Sequence, residues 1–187
     1  MSFDANADNL TIGVIGAGAM GQGIVQVSLQ GGMKVVLFDA NTEGASAGKD
    51  LIFQRLDRSA ERGRLELDAV GQMKSNLQVT GSLSAFSQCD AVVEAVFEDL
   101  DVKHAVYKEL EQHVSANCII ASNTSSLPIS SLGRPLEGQE RFAGLHFFNP
   151  VPVMRLVEVI RGPSTADWVI DGLVKLGERM GRTSVVV

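Results

Sequence analysis

The feature that most constrains this chain is Gly16-Ala17-Gly18-Ala19-Met20-Gly21, set between an apolar run, Leu10 to Ile15, and a helical pattern from Gly18 to Gly31. A GxGxxG pattern is weak alone and strong when it directly follows a strand and opens a helix. Gly16 permits a tight turn, Gly18 lets a pyrophosphate approach the backbone with no Cβ in the way, and Gly21 lets the helix sit close to the strand. Ala17, Ala19 and Met20 complete the loop. The helix N-terminus offers unpaired N–H groups and a partial positive charge to the phosphates. A second strand, Lys34 to Phe38, ends at Asp39, whose carboxylate can accept both hydroxyl protons of an adenosine ribose. Asp39 would repel a 2′-phosphate, and Ala40-Asn41 supplies no arginine to receive one, so the expected cofactor is NAD rather than NADP. FAD sites use a similar fingerprint, so the cofactor class needs the rest of the chain.

That rest alternates strand-length apolar runs with helical patterns, the mark of βαβ units and of an α/β fold. Thr42 is expected to cap a helix reaching Arg62, with Ala45, Ile52, Leu56 and Ala60 inward. A short helix within 63–75 and a strand near 76–80 follow. Strands are expected at 90–96, 118–121, 142–146, 156–160 and 183–187. Val102, Val106, Leu110 and Val114 recur at helical spacing, so residues 99–115 read as an amphipathic helix on the sheet. Pro150 and Pro152 break the chain between the 142–146 and 156–160 strands and bring them close. Thr165 is expected to cap a last helix that buries Val169, Leu173, Leu176 and Met180 and ends at Gly181.

The 187 residues, 45% hydrophobic, fit about one domain at roughly 100–200 residues each. Residues 1–9 form a polar leader unlike a signal or transit peptide, and residues 10–187 form the domain. A net charge of -6 argues against nucleic acid as the main partner. No apolar run approaches the roughly 20 residues that span a bilayer, so no membrane partner is expected and the cytoplasm is the expected location. Cys89 and Cys118 are too few for a disulfide framework, and no metal-ligand spacing is present. Both read as small buried thiols.

Three groups in the chain can carry chemistry. Ser122-Asn123-Thr124-Ser125-Ser126 follows a strand at the carboxyl edge of the sheet, where open α/β folds bind ligands; a plain capping loop fits equally well. His146 ends one strand and Glu158 lies in the next, so a carboxylate can fix the tautomer of an imidazole that takes a proton. Arg55, Arg58 and Arg62 fall on one stripe of the second helix. They read either as a phosphate site or, with Asp57 and Glu61 interleaved, as a salt-bridged surface.

Together, Gly16 to Ile24, Ala95-Val96-Phe97-Glu98-Asp99, Ser122 to Ser126 and Gly144-Leu145-His146-Phe147-Phe148-Asn149-Pro150 closely resemble the NAD-binding domain of 3-hydroxyacyl-CoA dehydrogenases, a group that includes 3-hydroxybutyryl-CoA dehydrogenases. The resemblance runs from Leu10 to Val187. It implies a Rossmann-type doubly wound, mostly parallel sheet with helices on both faces. It also implies interconversion of (S)-3-hydroxyacyl-CoA and 3-oxoacyl-CoA in fatty-acid β-oxidation chemistry. His146 would be the general base, Glu158 its orienting acid, and Ser125 and Asn149 would position substrate and nicotinamide. Glu98 and Lys103 would contact the nicotinamide-side ribose; alone they read as an exposed carboxylate and a solvated lysine. Arg55 and Arg62 would meet the phosphates of coenzyme A. Family members continue into an all-helical domain that supplies another active-site asparagine, much of the acyl pocket and a homodimer interface, so this chain is expected to be a complete cofactor domain and an incomplete enzyme. The other readings are a noncatalytic NAD-binding module and a different hydroxyacid dehydrogenase, the latter at odds with the His-Phe-Phe-Asn-Pro block.

Overall fold

A computed structural model describes residues 3–187. In chain order the elements are β1 (Thr11–Ile15), α1 (Ala19–Gln30), β2 (Lys34–Phe38), α2 (Thr42–Glu61), α3 (Leu67–Ser75), β3 (Leu77–Thr80), β4 (Ala91–Glu94), α4 (Leu100–Leu110), β5 (Ile119–Ser122), α5 (Ile129–Leu132), β6 (Phe142–Phe147), β7 (Leu156–Ile160), α6 (Asp167–Arg179) and β8 (Thr183–Val186). The strands make one sheet in the order β3-β2-β1-β4-β5-β6-β7-β8. β3 through β6 are parallel, β7 runs antiparallel to β6, and β8 runs parallel to β7. The chain winds outward from β1 in one direction and from β4 in the other. The carboxyl ends of β1 and β4 therefore flank the switch point, where crevices form in such sheets.

Both faces of the sheet are covered, which explains why its strands read as nearly continuous apolar runs. On one face Ile12, Val14, Val35 and Leu37 pack under α1, α2 and α6, meeting Ile24, Ile52, Leu56, Val169 and Leu173. On the other, Ile15, Val92 and Ile120 pack against Phe86, Tyr107, Leu110 and Phe142. Gly13 is glycine because a Cβ there would overlap the Phe86 ring.

Three local expectations change. α2 is capped by Asn41, whose side chain accepts the Gly44 N–H, so Thr42 is already helical. Thr165 precedes the Ala166 cap of α6, and its hydroxyl instead donates to the Phe142 carbonyl and accepts the Gly162 N–H. A buried hydroxyl with two backbone partners near at hand serves there better than at a solvated helix end. On α4, Val102 is 43% exposed, and the packed face carries Lys103, Tyr107 and Leu110. A carboxylate in the sheet below, Glu94, draws the lysine and tyrosine inward at the valine's expense.

The described part of the leader packs on the domain. Ala5 is buried, Phe3 contacts the core, and Arg179 of α6 donates to the carbonyls of Ala5 and Ala7. Both cysteines are buried and unpaired. Burial, helped by the nearby Asp90 charge, pushes the Cys89 thiol up to about 12, and burial raises Cys118 as well. Thiols so raised are inert. No helix among the described residues is long and apolar enough to cross a membrane, and no group of three or more potential metal ligands occurs among them.

Candidate active site

The turn after β1 assigns each glycine its reason. Gly16 has φ +108° and its Cβ would lie 2.5 Å from the Ala95 carbonyl oxygen; a Cβ on Gly21 would run into the Gly16 carbonyl. These two glycines serve the fold. Gly18 is different: its backbone angles are ordinary, and a Cβ would meet nothing within 4 Å. Nothing inside the protein requires glycine at this exposed N-cap of α1. The open space in front of the helix N-terminus is the cradle a pyrophosphate needs, so the residues present fit NAD. Asp39 accepts the Ala17 N–H at 2.7 Å through one oxygen and the Asn41 N–H at 2.8 Å through the other. Its carboxylate is thereby pinned to the phosphate turn with lone pairs to spare for ribose hydroxyls.

Across the switch point, β4 ends in a carboxylate. Glu94 is fully buried and accepts from Lys103 Nζ at 2.7 Å, Tyr107 OH at 2.5 Å, Ser122 Oγ at 2.7 Å and the Val96 N–H at 2.7 Å. Lys103, 1% exposed, reaches Glu98 Oε2 as well, at 3.2 Å. It is therefore no solvated lysine: it ties the floor of the site to the surface carboxylate. Glu98 Oε1 collects the Thr124 hydroxyl at 2.5 Å and the backbone N–H groups of Ser125 and Ser126 at 2.9 and 3.1 Å. Partial burial alone would raise its carboxyl. The three hydrogen bonds and the lysine charge outweigh that and hold it at about 2. The serine loop is thus folded around Glu98 as an anion, with the Ser125 and Ser126 side chains exposed.

β6 and β7 place His146 directly opposite Glu158. Nδ1 lies 2.9 Å from Glu158 Oε2, and the ring sits 4.6 Å from the Phe148 ring, centroid to centroid. With Nδ1 donating to the carboxylate, Nε2 carries the free lone pair. Asn123 accepts the Phe147 N–H at 2.8 Å, which locks the serine loop to the strand bearing His146.

Beyond β6 the chain turns through a cis Asn149–Pro150 peptide. Asn149 and residues 150–153 form one wall of a cleft of about 420 Å³, floored by Ala19 and Gln26 of α1. The opposite wall is Arg55, Arg58, Arg62 and Arg64. The sequence left a salt-bridged surface open, but among the described residues Asp57 pairs with Lys74 and none of these arginines pairs with a carboxylate. Arg55 instead donates to Gln22 Oε1 at 3.0 Å, while Gln22 Nε2 donates to the Ala17 carbonyl.

The structure therefore joins His146 to Glu158, Asp39 to the glycine turn, and Glu98, Lys103 and Ser125 to one another, and it sets Asn149 across the cleft from the arginines. Sequence reasoning missed Glu94, Tyr107, Gln22, Gln26 and Arg64. For Glu94 a signal existed: a carboxylate ending an apolar buried strand, followed by a lysine and a tyrosine one helical turn apart.

Residues 11–187 match the family described as the NAD binding domain of 3-hydroxyacyl-CoA dehydrogenase. A probable 3-hydroxybutyryl-CoA dehydrogenase of Deinococcus radiodurans is 42% identical over 93% of this chain and 62% of its own length. Among solved structures, 3-hydroxybutyryl-CoA dehydrogenase from Escherichia coli superposes with a TM-score of 0.93 at 36% identity, over 96% of this chain and 38% of that one. The (S)-3-hydroxybutyryl-CoA dehydrogenase of Ralstonia eutropha gives 0.92 at 36% identity, over 95% and 62%. The chain thus spans about three fifths of the curated relatives it matches. With its glycine turn after β1 and its mostly parallel sheet, this chain belongs to the 3-hydroxyacyl-CoA dehydrogenase family as an NAD-binding domain.

Proposed function

We propose that the chain supplies the cofactor site and the catalytic base of an NAD-dependent 3-hydroxyacyl-CoA dehydrogenase. The observation that supports this most is the pairing of His146 with Glu158 on adjacent strands, at the same carboxyl edge of the sheet as a glycine turn with open space before its helix. Residues 16–21 and Asp39 hold the adenosine diphosphate half of NAD, and Glu98, Ser125 and Asn149 face its nicotinamide end, with Lys103 fixing Glu98 from behind. NAD supplies the acceptor for the hydride that leaves C3 of the substrate. His146 Nε2 takes the proton of the 3-hydroxyl, and Glu158 keeps Nδ1 protonated and stabilises the imidazolium that results. In the reverse direction the same imidazolium returns the proton to the 3-oxo oxygen. Ser125 and Asn149 orient that oxygen. The arginines of the cleft take the phosphates of coenzyme A, where planar guanidinium groups suit phosphate oxygens. On this reading the active protein is a cytoplasmic homodimer, paired through a helical domain in the part of the relatives that this chain does not span.

The test is NADH oxidation with acetoacetyl-CoA, by this chain and by the chain joined to a relative's helical domain, with NADH binding followed by fluorescence. The expected result is turnover that falls about 10²- to 10⁴-fold in His146→Ala while NADH affinity holds. NADH binding with no oxidation, by this chain and also by the chain joined to a relative's helical domain, would support a noncatalytic NAD module instead. A parallel loss of NADH affinity in His146→Ala would make the histidine structural.

A further inference from the structure

Gln26 lies on α1, one turn after Gln22, in the floor of the arginine cleft. It is 5% exposed, and its side-chain oxygen is the single buried side-chain N or O atom among the described residues without a hydrogen-bond partner. Gln22 shows how this fold treats a glutamine that serves internally. It is 8% exposed, yet both ends are used, donating to the Ala17 carbonyl at 2.8 Å and accepting from Arg55 at 3.0 Å. Gln26 has the same polar head, is buried at least as deeply, and its oxygen meets no donor. Buried polar groups in folded proteins are nearly all paired, so an exception in a cleft wall points to something that enters the cleft.

The cleft's other lining says what enters. On one side stand four arginines with no carboxylate partner; on the other, Asn149 to Val153 continue from the strand that bears His146. A substrate anchored by phosphates at the arginines and reacting at His146 lays its middle across the floor between them. In an acyl-CoA that middle is the pantetheine arm, which holds two secondary amides, each with one N–H and one carbonyl. A primary carboxamide can meet such a group from either side, its oxygen accepting an N–H or its NH₂ donating to a carbonyl, one bond at a time because the N–H and C=O of a trans amide point in opposite directions. The terminal torsion of glutamine is soft and roughly two-fold, and with its oxygen unpaired in the protein the head can turn to suit the ligand.

Building on the function above, we infer that the Gln26 carboxamide is an amide-reading contact in the cleft, selecting thioesters carried on an amide-containing, phosphate-ended arm.

The test titrates this chain by calorimetry with acetoacetyl-CoA and, separately, with adenosine 3′,5′-bisphosphate, which has the anionic end but no amide. Gln26→Met keeps the volume and removes the polar head. The expected result is a roughly five- to tenfold weaker binding of acetoacetyl-CoA, the worth of one neutral hydrogen bond. Affinity for the bisphosphate should be unchanged. The melting temperature should hold or rise, since no internal hydrogen bond is lost. Equal losses for both ligands, an unchanged acetoacetyl-CoA affinity, or a lower melting temperature would each overturn the inference. Binding of both ligands by the wild-type chain with no effect of Gln26→Met removes the amide contact and leaves the functional reading standing. Binding of neither ligand by the wild-type chain removes both.

Discussion

At the end of β1 the protein leaves a helix N-terminus open and ties only Ala17 to side chains, those of Asp39 and Gln22, whereas at the end of β4, the neighbouring strand, it closes its polar groups around buried charge. The turn from Gly16 to Gly21 has no ionised side chain within it and depends on the absence of three Cβ atoms, two for internal fit and one for open space. The β4 edge buries Glu94 and Lys103 side by side and adds a tyrosine, a serine and a second carboxylate around them. Backbone N–H groups suit a diphosphate, whose charge arrives with the ligand. The serine loop has no such preformed partner, so the protein supplies its own anion, Glu98, and folds the loop's N–H groups onto it.

The comparison breaks first at Glu94. Replacing it with Ala leaves Lys103 buried with only the surface carboxylate Glu98, at 3.2 Å, as an anionic partner. Removing one member of a buried pair costs about 3–5 kcal/mol, so Glu94→Ala should lower the unfolding free energy by that much in urea. Glu94→Gln, which keeps the shape and can still receive the Ser122 and Tyr107 hydroxyls, should cost less. A loss under about 1 kcal/mol in Glu94→Ala would mean that charge does not hold this edge together.

The backbone side is tested by Gly18. Because a Cβ there meets nothing in the protein, Gly18→Val should leave the melting temperature nearly unchanged while weakening NADH binding at least tenfold, seen by fluorescence titration. Gly21→Val places its Cβ against the Gly16 carbonyl and should destabilise the fold itself. If Gly18→Val also unfolds the chain, the division between internal and ligand-facing glycines fails.

The same contrast explains what the sequence could reveal. The glycine turn is local: strand, turn, helix and Asp39 lie within one βαβ unit, and spacing alone is enough to expect that they meet, as the Ala17 N–H and Asp39 do. His146 and Glu158 were nearly as legible, because two prolines force the return that puts their strands together. Glu94 was not, since its partners come from β5 and from a helix face that valine periodicity points the wrong way. The hydrophobic pattern of α4 assumed an apolar surface below it, and one buried carboxylate was enough to rotate the face toward Lys103 and Tyr107. The arginine cleft stood between. Helical spacing grouped Arg55, Arg58 and Arg62, but Arg64 lies beyond the helix end, and only the fold shows that Lys74 takes Asp57 away from them.

The smallest expected effect lies at Glu98, where the two modes meet, since backbone N–H groups and a buried lysine hold one surface carboxylate. Its folded value of about 2 sits below the ordinary 4.5. A carboxyl lowered by folding adds stability that is fully present above about 4.5 and is lost as pH falls toward 2. Glu98→Gln should therefore melt somewhat below the wild type at pH 7, and the gap should close as pH drops from 5 to 2. Glu111 is lowered too: burial raises it, but the Gly138 and Glu137 N–H groups and Arg141 outweigh that. It titrates in both proteins and cancels from the difference. Melting curves that stay a constant distance apart across that range would mean that the serine loop is held by hydrogen bonds a neutral side chain makes equally well, and that the anion at Glu98 serves only the ligand.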